Sequence, residues 1–123
     1  MSRMIRVMSG VAAVVLVSGT LVYAHEEATG PQTIRGEVVD LACYVGHGSQ
    51  GAAHADCAQK CIASGLPVGI KSGKTVYLAV DGEHGPANAA LAPLAGKTVV
   101  VEGTVTERDE VHLIAIKKVT VAR

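Results

Sequence analysis

Four side chains in one short span have the types and spacing to hold a soft metal ion: Cys43, His54, Cys57 and Cys61. His54 and Cys57 are three residues apart, and Cys57 and Cys61 four. At about 100° per residue these steps set all three on one stripe of an α-helix. The surrounding "SQGAAHADCAQKCIASG" favours that helix over Ala52 to Ala63, with Ser49 placed to cap its start and Gly65 its end. Cys43 lies upstream, across the glycine-rich "GHGSQG". If that loop folds the helix back, three sulfurs and one imidazole nitrogen meet. Such a set suits a tetrahedral zinc ion, or cuprous copper held by two or three of the ligands, at one ion per chain.

Other readings of the same residues stay open. Cys57 and Cys61 can pack as small buried hydrophobes beside a core histidine. Alternatively Cys43 bridges to Cys57 or Cys61, a loop closure contributing about 3 kcal/mol, which would leave one thiol over for redox work. The total of three cysteines is odd, so a purely structural disulfide framework does not account for them. His47, in the loop, is a substitute ligand or a solvated side chain, and His84 and His112 read as surface residues. No C-x-x-C-H run is present for covalent haem attachment. A four-ligand site leaves no open position for substrate, so a metal-binding role is expected ahead of an enzymatic one; a thiol-redox protein, or a disulfide-stapled barrel that binds a protein or peptide, is the alternative.

These thiols are expected in an exported compartment. Arg3 and Arg6 precede the apolar run Val11–Val22, and Val22-Tyr23-Ala24 has small residues at the cleavage positions, so residues 1–24 resemble a secretory signal peptide cut after Ala24. The apolar run is shorter than the roughly 20 residues of a spanning helix, and membrane attachment is expected only if this segment stays uncleaved. Cleavage would leave His25 as the first residue, where amine and imidazole can chelate Cu(II).

Eleven Lys and Arg balance eleven Asp and Glu, and losing the two leader arginines leaves an acidic excess of two. With only Tyr44 and Tyr77 as aromatics beyond the leader, neither charge nor stacking favours nucleic acid. The expected partners are the metal ion and another exported protein.

The rest of the chain must position the site. After a flexible leader over 25–32, the β-branched "TIRGEVVDLACY" reads as a strand from near Thr33 to near Cys43. "PVGIKSG" and "KTVYLAVDG" form a hairpin around Lys71–Lys74. The alanine-rich "GPANAALAPLAG" admits a helix of a turn or two between its prolines. Two strands follow, joined at "ERDE", one with Val99, Val101, Gly103 and Val105 on one face and the other with Val111, Leu113, Ala115, Val119 and Val121. The order is that of a mainly β, five-stranded OB-like barrel over 33–123, with a short helix between strands 3 and 4 and the Cys/His-bearing helix inserted between strands 1 and 2. Gly36 and Gly103 fall where a small barrel coils sharply.

The stretches "GEVVDLACY", "HADCAQKCIASGLPVGI" and "LAGKTVVVEGTV" resemble a family of small exported bacterial OB-like proteins. The resemblance runs along nearly the whole chain beyond the leader, and its specific part is the frame of Cys43, His54, Cys57, Cys61, Gly65, Pro67 and Gly69. It implies a periplasmic setting and a barrel, and it implies no activity.

Overall fold

The computed structural model of the protein describes residues 29–123. The expected signal peptide and the first part of the leader, His25 included, lie outside the described residues. Five strands form a closed barrel: β1 (Gly30–Asp40), β2 (Val68–Ser72), β3 (Thr75–Asp81), β4 (Thr98–Arg108) and β5 (Val111–Val121). Their order around the barrel is β1-β2-β3-β5-β4. Only the β3–β5 pairing is parallel. This is the expected OB-like architecture, and closure leaves no open sheet edge.

Glycines allow the tight closure. A Cβ on Gly36 would sit 2.5 Å from the backbone oxygen of Lys71, so β1 approaches β2 there only because the side chain is missing. Gly36 is also where β1 passes from β4, opposite Val99, to β2, which it meets from Glu37 onward. Gly103 is in the same position against the backbone oxygen of Ala115.

Inside the barrel Val38, Ile70, Val99, Val101 and Ile114 are each fully buried. The predicted inward face of β4 holds: Val99, Val101, Gly103 and Val105 are all buried. The face predicted for β5 holds only in part, at Ala115, which is buried, and Val119, which packs on the core. Val111 and Val121 are 62% and 52% exposed, while Ile114 is at 0%. The register explains the difference, because Val105 pairs with Ile114 and Gly103 with Ile116, and a bulge then skips Lys117 so that Val101 meets Val119. One extra residue shifts the alternation by one position.

The start of the chain also differs from expectation. β1 begins at Gly30, opposite Val105, so Gly30–Gln32 of the expected leader belong to the barrel. At its other end β1 stops at Asp40, three residues short of Cys43.

Two helices fill the β1–β2 connection, α1 (Leu41–His47) and α2 (Ala55–Ala63), and α3 (Asn88–Leu91) lies between β3 and β4. Ile62 and Ala58 of α2 are buried with Leu91 of α3 in the main core. The Asn88 amide donates to the carbonyls of Ile62 and Leu66 at 2.8 and 2.7 Å, satisfying the free end of α2.

Candidate metal centre

The site starts at Asp40, the last residue of β1. Its Oδ1 accepts from the Ala42 amide at 3.0 Å, an N-cap that turns the chain from strand to helix. Cys43 therefore stands on α1 and not on the strand, one turn beyond the cap. The cap carboxylate is 1% exposed. Its second oxygen, Oδ2, accepts no hydrogen bond of ordinary geometry, although the Cys43 and Cys61 thiols lie close enough to the carboxylate to interact with it.

His54 arrives from the other direction. Gly48 ends α1 with a left-handed backbone, and Gly51, at φ 81°, opens a 3-10 turn over Ala52–His54 that leads into α2. The Glu37 side chain on β1 accepts from the Gly51 amide and ties this turn to the barrel wall. The predicted continuous helix is thus split. His54 sits in the tighter turn before α2, and Ser49 does not cap it; α2 has no side-chain cap at its start. Even so, His54 faces Cys43, and its Nε2 is buried without a partner.

One ligand atom each from Asp40, Cys43 and His54 lies within 4.8 Å of the other two, so the three residues can hold a metal ion. Two of the predicted ligands, Cys43 and His54, are brought together. Asp40 joins them, a residue that the ligand pattern passed over. Its signal was in the sequence all the same: an Asp between a β-branched run and a helix-forming stretch is an N-cap, and a residue capping at Asp40 lies three positions from Cys43.

Cys61 and Cys57 extend the group outward along α2. Cys43 and Cys61 are half-buried and Cys57 is exposed; all three are free thiols, and no bridge from Cys43 to α2 is present. The Cys43 thiol is pushed up to about 12, first by hydrogen bonding toward the Asp40 carboxylate, then by burial, then by the charges of Asp40, Cys61 and Cys57. Cys61 is also raised, by burial first, then by Asp40 and by its neighbour Cys57. Without an ion, the carboxylate keeps these thiols protonated.

The other histidines among the described residues fall outside the group. His47 closes α1, His84 is in the turn after β3 with a left-handed backbone, and His112 on β5 pairs with Glu107 at 3.0 Å. No protein-family model, curated protein or solved structure matches the chain.

Proposed function

We propose that the protein is an exported, periplasmic metal-binding protein that holds one zinc ion at Asp40, Cys43 and His54, with Cys61 as the fourth ligand. The observation that supports this reading is that one ligand atom each of Asp40, Cys43 and His54 lies within 4.8 Å of the other two, on two residues that also carry buried atoms without a hydrogen bond, Asp40 Oδ2 and His54 Nε2. A buried polar atom without a partner costs about 1–3 kcal/mol, and more when charged. An ion shared by both offsets that cost.

Bonds of about 2.0–2.3 Å in a tetrahedral site separate ligands by about 3.3–3.8 Å, so separations up to 4.8 Å close with shifts of about an ångström. A donor set of carboxylate, imidazole and thiolate favours zinc. Cuprous copper, which prefers sulfur alone, would instead draw on Cys43, Cys57 and Cys61. The export reading is supported by Arg3, Arg6, the apolar run after them and Ala24.

The test is a titration of reduced, metal-free protein with zinc, reading stoichiometry and melting temperature together. One ion per chain is expected, with a melting temperature that rises with the logarithm of free zinc. Loss of the response in Cys43→Ser and in His54→Ala is expected too. A second reading, thiol redox, is favoured by the exposed Cys57 beside Cys61. It would be preferred if zinc and Cu(I) both leave the melting temperature unchanged while mild oxidation joins two of the cysteines.

A further inference from the structure

The group of donors has one closed side and one open side. On the closed side a cleft lined by Glu37, Gly51, His54 and Gly96 runs up to Asp40, and it holds no space for a water molecule. Gly96 seals it. With a left-handed backbone, it lies so close to Ala55 that a Cβ would come within 2.8 Å of the Ala55 Cβ and 3.0 Å of the Gly51 carbonyl oxygen. On the other side exposure falls stepwise inward: Cys57 exposed, Cys61 half-buried beside it, Asp40 at 1%.

We propose that Cys57 is the capture ligand of this site, taking zinc from its carrier at the surface and passing it to Cys61 and, with Cys61, to the other resident ligands. The inference rests on the zinc reading above. In the capture step an ion–Sγ bond to Cys57 forms as one carrier–ion bond breaks, and the thiol proton passes to the carrier ligand that leaves. In the second step the bond moves to Cys61, four residues along α2 and so on the same helix face as Cys57, and the Cys61 proton goes to the released Cys57 thiolate; Cys43 then binds as the last carrier–ion bond breaks, its proton passing to that departing carrier ligand. No electron changes hands. Thiolates suit the task because they bind zinc tightly yet exchange by attack of one sulfur as another departs.

A capture ligand lowers the barrier to entry and exit without belonging to the final coordination shell, so its loss slows both directions together. The test uses full-chain, reduced, metal-free protein and zinc held by the dye pyridylazoresorcinol, with loss of colour giving the loading rate. Unloading into excess chelator gives the reverse rate, and competition at equilibrium gives affinity.

For Cys57→Ser and Cys57→Ala, loading and unloading are both expected to slow by roughly tenfold or more, the effect of about 1.4 kcal/mol in the barrier. Affinity should stay within about threefold, half a kcal/mol or so. Cys43→Ser should differ in kind, with faster unloading and a large loss of affinity. Unchanged rates in both Cys57 variants would overturn the proposal, as would an affinity loss matching that of Cys43→Ser, which would make Cys57 a resident ligand. If the unsubstituted protein takes no zinc from the dye, the metal reading itself fails and this inference falls with it.

Discussion

Asp40 has two oxygens in different settings. Oδ1 caps α1 through the Ala42 amide, and Oδ2 is buried without a hydrogen bond of ordinary geometry and is free for the proposed ligand role. The two roles separate in Asp40→Asn, because asparagine caps a helix about as well as aspartate while losing the charge. Metal-free Asp40→Asn is expected to unfold at the same denaturant concentration as the parent or a higher one, relieved of a buried anion. Its zinc affinity should fall by at least about 10–100-fold, the scale of losing a group that only orients a ligand from outside the shell. An unchanged zinc affinity would remove Asp40 from the ligand set.

The thiols carry a second expectation at the same scale. Cys43 moves from an ordinary 9.0 to about 12 on folding, so the folded state holds its proton over a range where the unfolded chain has released it. That contribution is fully present below pH 9.0 and is lost as pH rises toward 12. The metal-free protein should therefore lose stability across that window, measured as the urea midpoint, more steeply than Cys43→Ser does. Equal slopes in the two proteins would contradict the arrangement around Asp40.

Among the elements, the turn that carries His54 is tied to the barrel by a side-chain hydrogen bond. The Glu37 side chain holds the Gly51 amide, and Gly51 begins the 3-10 turn that ends at His54. Glu37→Ala should keep the barrel, read by far-UV circular dichroism, and lower zinc affinity by about tenfold as the imidazole loses its fixed approach. Full affinity in this variant would show that the turn is held by packing alone.

Much of this level is legible in the sequence. Valine alternation gives β4, and Gly36 and Gly103 mark close approach of the strands. The helical stretch with Cys57 and Cys61 follows from its composition, and the nearness of His54 to Cys43 follows from the spacing and the glycine loop. What escapes has physical causes. Leu41, Ala42 and Cys43 can continue a strand or start a helix, so the local capping bond at Asp40 decides where the strand ends. The bulge at Lys117 resets β5 through pairing with β4, a long-range effect that alternation within the strand does not carry.

For the whole molecule, the barrel provides a closed base, and the connection between β1 and β2 carries the candidate site. Its candidate ligands come from the end of β1, from α1 and from the turn before α2. They converge because Asp40 reverses the chain on one side while Glu37 and Gly96 hold it on the other. Their source in three separate local structures gives a mixed donor set, unlike the all-cysteine knuckle of many zinc folds. X-ray absorption at the zinc edge of the loaded protein reads that donor set directly. The account predicts one ion per chain with a first shell of two sulfurs at about 2.3 Å and two nitrogen or oxygen donors at about 2.0–2.2 Å. A shell of sulfur alone, or of oxygen alone as in hydrated zinc, would contradict it.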